Sequence, residues 1–241
     1  MSIGDHVKRV QDSLAKACAK VNRDPSDITL VAVSKQRSVA EILAAAEAGL
    51  QHFGENRVEE GRDKIGQVND SMGHPLTWHM VGHIQSRKAK QVIPLFDVVQ
   101  SVDSLRLAQR LSRLAVDAGR SLDVLLEMNV SGEASKYGFA ARKWYDDQAV
   151  KDRLWLEIHQ IVKLPNIRVK GLMTMAPLDD NMERTRAVFA DLFALREELS
   201  HSLDMPLAEL SMGMTNDYPI AIEEGATMVR IGRAIFGERQ Y

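Results

Sequence analysis

The chain has 241 residues, of which 45% are hydrophobic and 27% charged, with 31 Lys plus Arg against 33 Asp plus Glu for a net charge of −2 and a pI near 6.4. This balance excludes a disordered chain, a collagen and a disulfide scaffold, and it gives no bulk electrostatic pull toward nucleic acid or an anionic membrane. Cys18 is the single cysteine, so an intrachain disulfide and a thiolate zinc cluster are both ruled out, and its neighbours Ala17 and Ala19 mark it as a small buried hydrophobe.

The first ten residues carry Asp5, His6, Lys8 and Arg9 and lack the apolar core of a secretory signal. No apolar run approaches the roughly 18 residues of a membrane span, so a cytoplasmic protein is expected. Ile3, Val7, Val10, Leu14 and Ala17 recur at helical spacing and predict an opening helix over 3–21, ended by Asp24-Pro25. Residues 28–33 form a nearly continuous apolar run, the pattern of a strand covered on both faces. Ser38, with Glu41 three positions on, makes a capping box for a helix running to Gly49.

The cycle then repeats. Strands are predicted over 52–54, 77–82, 97–102, 122–130, 167–175, 207–212 and 227–231. Helices are predicted from about Arg57, over 86–93, from an Asp103 cap to Gly119, and over 146–163, 181–202 and 216–224. Residues 131–144 read as loop. Eight strands alternating with helices require parallel pairing through right-handed crossovers. At this length they predict one α/β domain, 1–241, folded as a closed (β/α)8 TIM-type barrel with an extra N-terminal helix. An open doubly wound sheet is the alternative.

In such a barrel functional groups gather at the C-terminal ends of the strands. Those ends hold Ser34-Lys35, Gly54-Glu55-Asn56, Gly82-His83, Asn129, Met173-Thr174, Ser211-Met212-Gly213 and Arg230-Ile231-Gly232, with neither a carboxylate pair nor a metal cluster. His79 and His83 lie four apart without an evident third ligand. Two readings stand for Lys35: a desolvated amine able to form a Schiff base, or a solvent-facing lysine just past a strand end. Two also stand for Gly213 and Gly232: a phosphate cradle of backbone N–H groups, or simple turn residues. No GxxxxGK[ST] or GxGxxG fingerprint is present. A Schiff-base lysine on the first strand and a phosphate cradle after the last two would be neighbours in a closed barrel. Pyridoxal 5′-phosphate needs both, plus a partner for its pyridine nitrogen. Arg230, on the same strand face as Gly232, is the candidate partner, and an arginine there does not give up its proton.

Six segments carry a family resemblance in chain order: 32–35 (AVSK), 53–57 (FGENR), 78–86 (WHMVGHIQS), 171–175 (GLMTM), 210–214 (LSMGM) and 228–237 (MVRIGRAIFG). Over nearly the whole chain they resemble the pyridoxal phosphate homeostasis proteins. The resemblance implies a fold similar to the N-terminal barrel of alanine racemase, with Lys35 as the aldimine lysine. It implies cofactor contacts at Asn56, Ser211, Gly213, Met214, Thr215, Gly232 and Arg233, with Arg230 at the ring nitrogen. Thr215 stands where the family usually has Ser, which keeps the hydroxyl. Arg87 stands where Asn is more usual, and the 131–153 region is longer than usual. The implied function is binding and release of pyridoxal phosphate, with apo pyridoxal-phosphate enzymes as recipients. Arg230, and a chain that ends at Tyr241 soon after the last barrel unit, favour a monomeric carrier with little or no turnover. The alternatives are an amino-acid racemase or related pyridoxal-phosphate enzyme, and a sugar-phosphate barrel enzyme using Lys35 without cofactor.

Overall fold

The computed structural model describes residues 1–177 and 181–238; Tyr241 lies outside them. The Ser2 hydroxyl accepts from the Asp5 amide while the Ser2 amide donates to the Asp5 carboxylate, a capping box that starts helix α1 (Ile3–Lys20). A short 3-10 turn, Pro25–Asp27, leads into β1 (Thr29–Val33). The expected Ser38–Glu41 capping box starts α2 (Val39–Glu47), and Gly49 closes it at φ +98. There follow β2 (His52–Glu55), α3 (Val58–Met72), β3 (Thr77–Met80), α4 (Ala89–Val92), β4 (Val98–Val102), α5 (Leu105–Asp117) and β5 (Leu122–Asn129). The chain continues through β6 (Phe139–Ala140), α6 (Gln148–Ile161), β7 (Ile167–Met173), α7 (Met182–Leu203), β8 (Glu209–Ser211), α8 (Tyr218–Glu223), β9 (Met228–Ile231) and α9 (Arg233–Phe236).

Eight strands form a closed parallel ring. β1 pairs with β2 on one side and with β9 on the other, and the β4–β5 pairing, Val98 to Asp123 and Val99 to Val124, completes the circle. This is the closed barrel expected from the alternation, and it excludes the open doubly wound sheet.

Two expectations need correction. The 131–144 stretch contains the two-residue strand β6, which pairs with β5 outside the ring, Met128 to Phe139 and Asn129 to Ala140. Its close approach depends on Gly138 (φ +110), where a Cβ would sit 2.7 Å from the Glu127 carbonyl oxygen. At α5 the cap is Ser104, whose hydroxyl accepts from the Leu107 amide. Asp103 instead accepts from the Ser104 hydroxyl and pairs with His83 Nδ1 at 2.8 Å.

The apolar core lies mainly between the ring and its helices. Phe53, Trp78, Phe96, Leu111, Leu126, Phe189, Leu192 and Ile231 are among its buried members, and Cys18 is buried with them, its thiol pushed up in pKa by desolvation. Inside the ring a small separate cluster, Leu125, Met173 and Met228 with Met175 against it, is joined by polar side chains. α1 packs across the outside of the closing units, against α2, α8 and α9, with His6 Nδ1 2.9 Å from the Ile235 carbonyl. Among the described residues no helix is long and apolar enough to cross a membrane.

Glycine is required where β7 meets β8. A Cβ on Gly171 would lie 1.8 Å from the Glu209 carbonyl oxygen, whereas one on Gly66, exposed in α3, would meet nothing within 4 Å. Gly171→Ala is therefore expected to destabilise the fold by more than about 3 kcal/mol, and Gly66→Ala to stabilise it by about 0.5–1 kcal/mol. Urea unfolding of the two variants checks both signs.

Candidate functional site

A cavity of about 500 Å³ opens at the C-terminal end of the ring. Its wall takes Val33 from the end of β1 and Lys35 just beyond it, Asn56 just after β2, Val81 just after β3 and Met175 two residues after β7. The β8–α8 loop supplies Met214, Thr215, Asn216 and Asp217, β9 supplies Arg230, and Gly232 and Arg233 open α9. Arg37, Gly237 and Glu238 complete the rim.

The turn that carries Lys35 is held on both sides. The Ser34 amide donates to the Gly54 carbonyl at 2.9 Å, and the Ser34 hydroxyl donates to Glu55 Oε1 at 2.6 Å. Lys64 Nζ, reaching from α3, donates to the Ser34 carbonyl at 2.9 Å and pairs with Glu55 Oε1 at 2.6 Å. On the far side of Lys35, the Gln36 amide donates to Glu60 Oε2 at 2.7 Å. Gln36 itself adopts φ +59, a left-handed conformation that costs a non-glycine residue about 1–2 kcal/mol. Glu55 is fully buried: desolvation raises its carboxyl pKa, and Lys64 and Ser34 oppose the rise.

The opposite wall forms from two consecutive units. Asp217 Oδ1 accepts from the Met214 amide at 2.6 Å and folds the β8–α8 loop back on itself; burial raises the Asp217 pKa. The Thr215 and Asn216 amides form no hydrogen bond among the described residues. Arg233 Nη2 donates to Asn216 Oδ1 at 2.9 Å and joins this loop to the start of α9. Between the two walls lies Arg230, 5% exposed. Its Nη1 donates to Ser211 Oγ at 2.6 Å and its Nη2 to the Thr174 carbonyl at 2.8 Å. Desolvation lowers its pKa to about 10, while Glu127 and Asp217 hold it up, so it stays charged near neutrality.

Of the residues singled out from the sequence, the structure gathers Lys35, Asn56, Met214, Thr215, Arg230, Gly232 and Arg233 around one cavity. Ser211 and Gly213 lie beneath its surface instead. The Ser211 hydroxyl is taken by Arg230 and Gln100. Gly213, at φ +95, gives its carbonyl to the Arg230 amide at 2.9 Å. A Cβ there would press within 2.6 Å of the Ala221 Cβ, so the turn itself demands glycine. His79 and His83 part company: His79 is buried inside the ring, and His83 stacks on Tyr137 beside Asp103. Arg37, Asn216 and Asp217 were missed; the local signal for them was only their position just past strand ends. Gln100 and Glu127 were also missed, although each is a polar residue inside an apolar strand run and so marks an inward polar position.

Two consequences are measurable. Lys64→Met leaves Glu55 buried without its cation and is expected to cost about 3–5 kcal/mol, most of it recovered in the Glu55→Gln/Lys64→Met double variant. Thermal unfolding of Lys64→Met, Glu55→Gln and the double variant reads the coupling, and additive losses would contradict it. Glu127 is 3% exposed, and desolvation, then the Asp103 charge, raise its pKa from 4.5 to about 7 against the pull of Arg230. Between those values the folded chain holds the proton and the unfolded chain releases it, so stability falls as pH rises through this window, by about 3 kcal/mol in all. Glu127→Gln is expected to flatten that slope in urea midpoints taken from pH 4.5 to 8.

Comparison with known proteins agrees with this architecture. Residues 8–240 match the alanine racemase N-terminal domain. The pyridoxal phosphate homeostasis protein of Haemophilus influenzae is 38% identical over 242 positions, covering 100% of this chain and 98% of its own. A crystal structure of an unknown protein from Bifidobacterium adolescentis superposes with a TM-score of 0.88 at 35% identity, over 97% of this chain and 94% of that one. PipY of Synechococcus elongatus, solved with pyridoxal phosphate bound, superposes with a TM-score of 0.78 at 38% identity, over 93% of this chain and 100% of that one. A closed parallel ring with this mouth, matched along its whole length by such relatives, makes the chain a member of the alanine racemase N-terminal domain family, in the branch of the pyridoxal phosphate homeostasis proteins.

Proposed function

We propose that the protein binds pyridoxal 5′-phosphate, holds it covalently through the Lys35 amine, and buffers its level in the cytoplasm as a monomer. Apo enzymes that require the cofactor are the proposed recipients, and turnover is little or none. One observation carries the reading: Lys35, the Met214–Asn216 loop, Gly232-Arg233 and the buried Arg230 share one cavity. They come from β1 and the two strand units that precede it around the ring.

The residues present fit the cofactor. The cavity is rich in donors and cations, and among the described residues its carboxylates are Asp217 and Glu238. Asp217 is already engaged by the Met214 amide. The Thr215 and Asn216 amides, the Thr215 hydroxyl and Arg233 would take the phosphate, since unpaired backbone N–H groups with an adjacent cation favour an anion. Gly232 leaves room beside them: a Cβ there would crowd the Val33 carbonyl at 3.2 Å. Val33, Val81, Met175 and Met214 offer apolar walls for a flat ring. Bound there, pyridoxal phosphate supplies an aldehyde for a primary amine and a ring that draws electron density.

What the chain does with that ring follows from Arg230. A guanidinium has five donors and no acceptor, and it keeps its proton. At a ring nitrogen it binds and orients without protonating, so electron withdrawal stays weak. Retention therefore outweighs catalysis. The homeostasis role in the name of the H. influenzae relative and the cofactor bound to PipY support the same assignment.

Adding pyridoxal phosphate to the purified protein is expected to give a protein-bound near-visible absorption band, and borohydride followed by peptide mapping to fix the label on Lys35. Lys35→Ala should abolish the band, and Arg233→Ala or Thr215→Ala should weaken binding about tenfold or more. A colourless wild-type protein would overturn the reading, and sustained racemisation of L-alanine would replace the carrier with an enzyme.

A further inference from the structure

A string of hydrogen bonds crosses the inside of the ring, leading away from the cavity. It starts with Arg230 Nη1, which donates to Ser211 Oγ at 2.6 Å. Ser211 Oγ donates to Gln100 Oε1 at 2.7 Å. Gln100 Nε2 lies 2.9 Å from His79 Nδ1, and His79 Nε2 lies 3.1 Å from His52 Nδ1. Five strands contribute one member each: β9, β8, β4, β3 and β2. Arg230, Ser211, Gln100 and His79 are buried, and His52 is half-buried.

The polarity of this string follows from its chemistry. Arginine only donates, so Ser211 accepts from it and has its single proton left for Gln100. That orients the Gln100 amide with oxygen toward Ser211 and nitrogen toward His79. The thioether of Met228, 3.7 Å from Gln100 Nε2, agrees, because sulfur is a weak acceptor and suits the amide nitrogen. His79 Nδ1 must then be bare and its proton must sit on Nε2, where it donates to His52 Nδ1. Burial, and then the neighbouring His52, depress the His79 pKa to about 3, consistent with a neutral ring. Every bond therefore runs in one direction from Arg230 to His52.

We propose that Ser211, Gln100 and His79 act as positioning residues for Arg230, a string of fixed polarity that sets its guanidinium plane and presents its remaining donors to the cavity. The inference rests on the reading that Arg230 meets the cofactor ring. The Thr174 carbonyl holds the second terminal nitrogen, so the string supplies the other fixed point. With both points occupied the guanidinium cannot rotate, and no member of the string can donate back to it.

Histidine nitrogen NMR of the apoprotein and cofactor titration of the variants test this. In the wild-type apoprotein His79 is expected as a single neutral Nε2–H tautomer. Gln100→Glu keeps the shape but removes the donor to Nδ1, so His79 should move to the Nδ1–H tautomer or take a second proton. With pyridoxal phosphate, Ser211→Ala should bind about tenfold more weakly and shift the bound absorption band, and Ser211→Thr should restore both. Should Ser211→Ala fail to fold, Gln100→Glu carries the same binding and band measurements. An Nδ1–H tautomer in the wild type, or wild-type affinity and band in folded Ser211→Ala or Gln100→Glu, would overturn the positioning role. A wild-type protein that takes up no cofactor would instead sink the cofactor reading, and this inference with it.

Discussion

Moving the Arg230 guanidinium out of water into the middle of a strand ring costs several kcal/mol unless acceptors are waiting. The interiors of such rings are usually filled by layers of branched aliphatic side chains. Here the apolar filling shrinks to Leu125, Met173 and Met228 with Met175, and much of the remainder serves the buried charge. Ser211 and the Thr174 carbonyl accept from it directly. Glu127 and Asp217 supply negative potential from nearby. The arrangement is mutual, since Arg230 restrains the rise of both their pKa values. A neutral side chain at position 230 would leave these groups with no cation to justify their burial.

The second constraint is the seam where the first strand meets the last. Val31 pairs with Arg230 and Ala32 with Ile231, so the turn after β1 and the start of α9 face the same mouth at the same height. Neither is left to its own devices. The Lys35 turn is tied to α3 through Lys64 and Glu60, and its strained Gln36 is tolerated because those bonds over-determine it. The α9 end is tied to the turn before α2 by Arg37, whose Nη2 donates to the Gly237 and Glu238 carbonyls and whose guanidinium lies over Phe236. α1 braces the same seam from outside. A covalent anchor and an anion cradle on opposite sides of a seam must keep their spacing, and these ties serve that end in the proposed function.

The donor-rich, acceptor-poor lining sets the chemical character of the mouth. In the proposed function a pure donor at the ring nitrogen favours retention over electron uptake, and Asp217 is committed to shaping the β8–α8 loop. A carboxyl whose protonation responds near neutral pH lies elsewhere. Glu127 sits within the ring, raised to about 7 by burial.

Local patterns in the chain determined the strand–helix alternation. Eight short apolar runs alternating with amphipathic stretches admit few parallel topologies, and the β4–β5 pairing selects the closed ring over an open doubly wound sheet. The Ser38–Glu41 box, the Gly49 stop and the inward turn of Arg230 were all readable, because each depends on residues within four positions of one another. What stayed hidden depends on partners far away in sequence. Ser104 rather than Asp103 caps α5 because His83, 20 residues upstream, claims Asp103. β6 exists because Gly138 fits against the Glu127 carbonyl. Ser211 sits under the cavity because Gln100, 111 residues away, takes its proton. A side chain's hydrogen-bond partner is chosen by the strand register and by which groups burial has stripped of water, and only the closed ring sets both.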